Sequence, residues 1–495
     1  MHSDIAVRPS GASPLPSAAP SATGTDAAGI LRFVRALEAS PTQEPHGLVV
    51  LRHGRVVAQG WWAPYGPQRR HLLYSLSKSF TSAATGLAVA EGLVRLDDPV
   101  LTYFPELDDE ITDPRTRRML VRHVASMASG HTRDTFAEAF ADPDVDPVHA
   151  FLRIHPDEEP GSVFAYNQPA TYTLGAIVQR VTGGTLLEYL RPRLLDPLGI
   201  GPLGWQESHG RQIAFTGLFA PTDAVARLGQ LLLQRGRWGD RQLLPEAWVD
   251  AATSVQVPTP RPFSDPGEAV DTVAEPPASD WQQGYGFQHW LSRHGFRGDG
   301  AYGQFCLVLP EHDAVVAITS QTADMQETLD LAWEHLLPAF AGPGPAQADG
   351  ELAAHLAASA LPPLALPALP DDGAWAGTTF RPEGGACAVQ PSLTQVRLDA
   401  GLRLTLVDRG GDVAAAVSPG TPGWTVTEGV VPVATSGGAD GAGRLRVEVA
   451  FLEAPHRLEL VLDRAAGTFA AGWSNEPLRF ATTPLRALAT PDARG

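Results

Sequence analysis

Two predicted β-hairpins at opposite ends of a long helical stretch constrain the fold of this chain most. The first covers residues 47–58 around a His53-Gly54 turn, and the second covers residues 303–319 around residues 311–313. Apolar runs flank both turns, as in strands of a buried sheet. Residues 115–250 carry mostly helical apolar spacing. The pattern therefore predicts an α+β fold in which one sheet is assembled from both ends of the domain.

Composition divides the rest of the chain into further segments. The length of 495 residues favours two domains. Residues 1–27 are predicted to form a disordered N-terminal tail, because residues 9–27 are rich in Ser, Ala, Pro and Gly. The main domain is predicted over residues 28–340, followed by an Ala/Pro/Gly-rich linker over 341–372. Short alternating stretches broken by glycines predict a small β-rich domain over residues 373–495.

Charge and cysteine content exclude several classes of partner. The formal net charge is −18, and the densest basic run is only residues 115–118, so neither nucleic acid nor a membrane is expected to bind. No run of about 18 apolar residues and no basic-apolar leader is found, which predicts a cytoplasmic protein, with export by an unrecognised route left open. Cys306 and Cys387 lack metal-ligand spacing, so no metal or cofactor is predicted.

The chain contains one lysine, Lys78, and it follows Ser75 by three residues. Residues at this spacing share one face of a helix. Arginine keeps its proton at any biological pH, whereas a buried lysine can lose its proton and act as a base. Ser75 is predicted in the first helical turn, where free backbone N–H groups favour negative charge. The pair is therefore predicted to be a nucleophile and its base.

Residues 74–80, Tyr-Ser-Leu-Ser-Lys-Ser-Phe, resemble the first motif of the serine β-lactamase and penicillin-binding protein superfamily. The resemblance is closest to the branch of class C β-lactamases, D-alanyl-D-alanine carboxypeptidases and related esterases and amide hydrolases. Residues 121–131, 160–167 and 172–177 resemble later stretches of that branch in the same order. The resemblance covers roughly residues 28–340. It implies an antiparallel sheet flanked by helices, with an all-helical subdomain.

The resemblance also implies catalytic roles. Ser75 would attack the substrate, while Lys78 and Tyr166 would share proton transfer. The nearby lysine ammonium is predicted to favour the phenolate form of Tyr166. The usual Tyr-x-Asn pattern is altered here to Tyr166-Asn167-Gln168, so either Asn167 or Gln168 could supply the polar contact.

The third motif of the superfamily is altered as well. We align it with Asp299-Gly300, where an aspartate replaces the cation that normally holds a substrate carboxylate. Arg297, two residues away, is the candidate replacement for that cation. The resemblance implies an oxyanion hole made of the nucleophile's own N–H group and one near Ala301 or Tyr302. Each such donor contributes on the order of 3 kcal/mol to the transition state.

Two functional hypotheses follow. The first is a cofactor-free serine hydrolase that acts through an acyl-enzyme on an ester, amide or β-lactam bond of a small molecule. The aspartate in the third motif favours an esterase or amidase over a true β-lactamase. The second is a non-catalytic, ligand-binding or β-lactam-sensing member of the same fold. The C-terminal domain is assigned no chemistry, and two roles stay open for it: covering the cleft or mediating self-association in a homo-oligomer.

Overall fold

The computed structural model describes residues 14–259, 279–369, 372–478 and 483–491. The helices within these ranges are α1 Ala27–Ala39, α2 Ser77–Ala90, α3 Pro114–Arg117, α4 Val121–Ala125, α5 Phe136–Ala139, α6 Pro147–Arg153, α7 Gln168–Thr182, α8 Leu186–Leu190, α9 Asp196–Leu198, α10 Thr222–Leu233, α11 Glu246–Ala252, α12 Met325–Leu331, α13 Leu337–Ala339 and α14 Gln347–Ala357. Single π-helical turns join α8 to α9 and α12 to α13.

The strands within the same ranges are β1 Gln43–Arg52, β2 Arg55–Trp61, β3 His71–Leu72, β4 Gly204–Trp205, β5 Glu207–Ser208, β6 Arg211–Gln212, β7 Leu218–Ala220, β8 Arg237–Trp238, β9 Arg241–Gln242, β10 Trp290–Leu291, β11 Phe296–Gly300, β12 Gln304–Leu309, β13 Ala314–Thr322, β14 Thr378–Pro382, β15 Leu393–Leu398, β16 Arg403–Asp408, β17 Val413–Ala416, β18 Thr425–Thr427, β19 Val433–Ala439, β20 Leu445–Phe451, β21 His456–Asp463 and β22 Thr468–Trp473.

A six-stranded antiparallel sheet joins the two predicted hairpins. Its strand order is β10-β11-β12-β13-β1-β2, so the last strand of the domain pairs with the first, with Val50 opposite Val316. Successive side chains of β1 enter different cores: Val49 and Leu51 pack in one cluster and Leu48 in the other. Burial of both faces explains why the strand is a continuous apolar run. The predicted assembly from both ends of the domain is confirmed.

Helices cover both faces of this sheet. Helix α1 packs on one face with α12, α13 and α14, while α10 packs against β12 and β13 on the other. Helices α3 to α9 form a helical region beside α2, in which α7 contacts α2, α4 and α6. The predicted α+β fold with an all-helical subdomain is therefore confirmed. The motifs predicted to be catalytic lie on and around α2, α7 and β11.

The C-terminal region forms one nine-stranded sheet, in the order β17-β16-β15-β14-β22-β21-β20-β19-β18. Its pairs are antiparallel except for β14 with β22. Burial alternates along β21, where Leu458, Leu460 and Leu462 point into the core. This period of two is the pattern from which the β-rich region was predicted, and that prediction is confirmed. The boundary at residue 373 stays a prediction.

The structure corrects the predicted tail and linker. Residues 1–13 of the tail lie outside the described residues. Residues 14–27 do not form a disordered tail, since Ala18 N donates to Val56 O at 3.1 Å and Val56 N donates to Pro16 O at 2.8 Å. The edge strand β2 supplies these partners, which composition alone cannot reveal. The linker contains α14, an alanine-rich helix that buries Leu352 and Leu356. In the described ranges, no helix is long and apolar enough to span a bilayer.

Candidate active site

The predicted nucleophile lies at the entrance of α2. A 3-10 turn, Tyr74–Leu76, connects β3 to the helix, and Leu76 N donates to Leu73 O at 3.1 Å. Tyr74 has a φ of 47°, in the left-handed region that non-glycine residues rarely adopt. Ser75 is half-buried while its chain neighbours are buried. The turn therefore leaves Ser75 partly exposed, two residues before the α-helix begins at Ser77 rather than within its first turn.

Lys78 is buried beside this hydroxyl, with 1% of its surface exposed. Its Nζ lies 3.0 Å from Ser75 Oγ, 2.8 Å from Gln168 Oε1 and 3.0 Å from the backbone oxygen of Phe215. Burial lowers the pKa of Lys78 to about 7, against the opposing attraction of the Asp134 and Asp299 carboxylates. A large share of the amine is therefore neutral near pH 7 and able to accept a proton.

Tyr166 is the second residue that contacts Ser75. Its hydroxyl hydrogen-bonds with Ser75, and Lys78 Nζ sits over its ring, 4.6 Å from the centroid. Burial, followed by the Asp299 carboxylate, raises the pKa of Tyr166 well above its usual range. The prediction of a favoured phenolate is therefore wrong, because the ammonium meets the ring face while the surroundings disfavour a second anion. Tyr166 is a neutral phenol that can donate a proton.

In the altered second motif, Gln168 rather than Asn167 contacts Lys78. Gln168 reaches Lys78, whereas Asn167 points away and its Oδ1 accepts from Thr135 N and Oγ1, both at 3.0 Å. Gln168 N in turn donates to Asp134 Oδ1 at 3.0 Å. Asp134 is a site residue that the sequence did not single out, because it lies in a loop with no recognisable motif. Burial raises the pKa of its carboxyl group.

Strand β11 passes directly beside the nucleophile turn. A Cβ atom on Gly300 would overlap the carbonyl oxygen of Leu73 and lie 3.1 Å from Ser75 N. Only glycine therefore allows this approach. The turn that follows brings Ala301 and Tyr302, both half-buried, next to the same backbone. Gly300, the residue before Ala301, therefore lies against the backbone at Ser75, and the role of the oxyanion donors stays a prediction.

Arg297 does not supply a cation for the substrate. It is completely buried, and its Nε donates to Asp299 Oδ2 at 2.9 Å. Its Nη1 donates to the backbone oxygen of Asp280 at 3.0 Å and to Ser292 Oγ at 2.6 Å. The expectation that Arg297 restores the lost cation is therefore wrong, because its charge is committed to Asp299. The two residues form a buried pair behind the site.

Aromatic residues from distant parts of the chain, strand β10 and the loop before β7, complete the site. Trp290 stacks on Tyr166 with ring centroids 5.3 Å apart, and it also hydrogen-bonds with Tyr166 and Asp299. The Phe215 ring lies 5.7 Å from Lys78 Nζ. Neither aromatic residue belongs to a motif, so no sequence signal could have identified them. Within the described residues, no group of three or more His, Cys, Asp or Glu side chains could hold a metal ion.

The chain is similar in sequence to proteins of one known family. The family model "Beta-lactamase" matches residues 34–339. A 6-aminohexanoate-dimer hydrolase of Paenarthrobacter ureafaciens is 27% identical over 297 residues, which cover 56% of this chain and 72% of the relative. A lovastatin esterase of Penicillium rubens is 31% identical over 151 residues, which cover 26% of this chain and 37% of the relative.

One solved structure shows the same fold. It is a Bacillus anthracis protein provisionally assigned as a 6-aminohexanoate-dimer hydrolase, with a TM-score of 0.53 and 21% identity. The match covers 67% of this chain and 88% of that protein. At this identity the likeness is one of fold alone.

Proposed function

Because the chain belongs to the β-lactamase family, we propose that it is a serine hydrolase that forms an acyl-enzyme on Ser75. The observation that carries the proposal is the 3.0 Å contact between Lys78 Nζ and Ser75 Oγ, together with a Lys78 pKa of about 7. A serine hydroxyl becomes a useful nucleophile only when a base beside it can take its proton near the working pH. The buried Lys78 amine lies beside the half-buried Ser75 hydroxyl, and its pKa of about 7 lets it take the serine proton near neutral pH.

Acylation would proceed by three proton transfers. Neutral Lys78 takes the proton of Ser75 as Oγ attacks the carbonyl carbon of the substrate. The tetrahedral oxyanion is held by the N–H groups of Ser75 and of the turn at Ala301. Tyr166 then donates its proton to the leaving oxygen or nitrogen and recovers one from Lys78. Lys78 is neutral again when the leaving group departs.

Deacylation would use the same groups in reverse order. Tyr166 passes its proton to Lys78 and takes one from the water molecule that attacks the acyl carbonyl, and Lys78 then protonates Ser75 Oγ as the ester bond breaks. The free acid leaves, and the enzyme returns to its starting protonation state. No cofactor is required for either half of the reaction. Gln168 would keep the Lys78 amine aimed at Ser75 throughout, through the contact at 2.8 Å.

We propose esters or amides of neutral or amine-bearing small molecules as the substrates. Asp299 replaces the cation expected to hold a substrate carboxylate, and Arg297 is engaged with Asp299. Asp134 adds a second carboxylate near Lys78. A carboxylate-bearing β-lactam would therefore meet the Asp134 carboxylate, while the Arg297 guanidinium beside the third motif is already paired with Asp299. The two curated relatives are named as a 6-aminohexanoate-dimer hydrolase and as a lovastatin esterase, which supports an amide or ester as the bond that is cleaved.

The test is intact-mass analysis after incubation with a fluorophosphonate. We expect one adduct on the wild-type protein, none on Ser75→Ala, and strongly slowed labelling of Lys78→Arg. Ser162→Ala is the matched control, because Ser162 is an exposed serine that bonds only locally, to the backbone oxygen of Glu159. Absence of an adduct on folded wild-type protein would contradict the proposal and favour a ligand-binding member of the fold.

A further inference from the structure

The residue before the nucleophile points into the C-terminal domain. The Tyr74 hydroxyl lies 2.5 Å from Nε2 of His456, the first residue of β21, and both side chains are buried. His456 Nδ1 lies 2.9 Å from the backbone oxygen of Asn475. A carbonyl oxygen can only accept, so Nδ1 carries the ring proton and Nε2 accepts from Tyr74. Burial also lowers the pKa of His456 to about 3, which keeps the ring neutral.

Tyr302, in the turn predicted to carry the second oxyanion donor, also contacts His456. The Tyr302 ring centroid lies 5.2 Å from that of Tyr74 and 5.0 Å from that of His456. The Tyr302 hydroxyl donates to the backbone oxygen of Glu476, one residue after the partner of His456. The three rings therefore form one cluster, in which Tyr74 and His456 are buried and Tyr302 is half-buried. It connects the nucleophile turn, the turn after β11 and the segment that follows β22.

Both tyrosines adopt a backbone conformation that their surroundings must maintain. Their φ angles are 47° for Tyr74 and 66° for Tyr302, in the left-handed region. For residues other than glycine this conformation is strained and persists only where tertiary contacts hold it. The only tertiary hydrogen-bond partners that the described residues give these two hydroxyl groups lie in the C-terminal domain.

We propose that the C-terminal domain is part of the catalytic centre, with His456 as a positioning residue. Through Tyr74 and Tyr302, it holds the Ser75 N–H group and the turn at Ala301 at the separation that an oxyanion requires. Misplacing such groups by about 1 Å can lower a rate by about a hundredfold. This inference rests on the proposed function for its effect on rate, but its effect on backbone order is independent of any activity.

The alternative is that the cluster only attaches one domain to the other. The chain offers a matched control, because Tyr65 is another buried tyrosine of the catalytic domain whose hydroxyl donates to the C-terminal domain, at Ala454 O over 3.3 Å. Its ring stacks on His46 and belongs to neither turn of the site. Tyr65→Phe and Tyr74→Phe therefore each delete one interdomain hydroxyl, and only Tyr74→Phe loosens the nucleophile turn.

The experiment compares the full-length wild type with Tyr65→Phe, Tyr74→Phe, His456→Leu and His456→Gln. Hydrogen–deuterium exchange is measured by mass spectrometry on peptides that cover residues 71–80 and 296–304. Initial rates with an activated neutral ester give kcat and KM separately. The glutamine variant can both accept from Tyr74 and donate to Asn475 O, so it tests whether the hydrogen bonds, rather than the ring, are needed.

We expect His456→Leu and Tyr74→Phe to speed exchange in both peptides and to lower kcat by about tenfold to a hundredfold, with KM within about twofold. His456→Gln should recover most of both losses, and Tyr65→Phe should match wild type. Wild-type exchange in both peptides for Tyr74→Phe and His456→Leu would overturn the inference. If His456→Leu does not fold, Tyr74→Phe decides alone. An inactive wild type would refute the proposed function, while the exchange measurement would still show whether His456 orders the two turns.

Discussion

The pH dependence of acylation tests the role of Lys78 most directly. With a pKa of about 7, the neutral amine rises from about a tenth of the population at pH 6 to about nine-tenths at pH 8. The rate of fluorophosphonate labelling should therefore rise about tenfold over this range and then level off. A lysine with an ordinary pKa would instead give a rise of about tenfold per pH unit through pH 9.

Replacing Asp134 should move this profile in a known direction. The Asp134 carboxylate raises the pKa of Lys78, so Asp134→Asn should move the midpoint to lower pH. The asparagine Oδ1 can still accept from Gln168 N, which preserves the loop. Asp144→Asn, at an exposed position of the same chain segment, should leave the midpoint in place.

The assay is the second-order labelling rate by intact mass, measured between pH 5.5 and pH 9.5 on protein shown to be folded at each pH. Two results would refute the reasoning. One is a wild-type rate that continues to rise without a plateau through pH 9, because Lys78 would then have an ordinary pKa. The other is a midpoint that moves to higher pH in Asp134→Asn, because the carboxylate would then not act on Lys78 by charge attraction.

Three further predictions concern the strand beside the nucleophile and the substrate. Gly300→Ala should reduce labelling at least about a hundredfold, since its Cβ would overlap Leu73 O, whereas Gly342→Ala, in open space, should label normally. Arg297→Met should lower the free energy of unfolding in urea by about 3–5 kcal/mol, because it leaves Asp299 buried without its partner. Adding Asp299→Asn to this variant should recover part of the loss. If Arg297→Met were as stable as the wild type, the result would contradict a buried ion pair. Amine-bearing and neutral esters should show higher kcat/KM than matched carboxylate-bearing esters, and the reverse order would argue for an anion-binding site.

Several features of the fold follow from local sequence. The two hairpins are apolar runs around turn residues, and a sheet buried on both faces requires such runs, so the assembly of the domain from both ends could be predicted. The Ser75–Lys78 contact follows from helical spacing, since residues three apart share a face. The alternation in the C-terminal region likewise predicted strands. Within the hairpins, the helical pair and the alternating strands, the relevant neighbours lie close together in the chain, whereas the pairing of β1 with β13 joins distant segments.

The tertiary structure decided what the side chains of this site do. Gln168 rather than Asn167 meets Lys78, across ninety residues of sequence, because of how the start of α7 lies against α2. Tyr166 keeps its proton, and Arg297 is unavailable to substrate, because burial and buried partners set their charge. His456 reaches the nucleophile turn from 382 residues away. Desolvation and hydrogen-bond partners arise from long-range packing, which local sequence patterns do not encode.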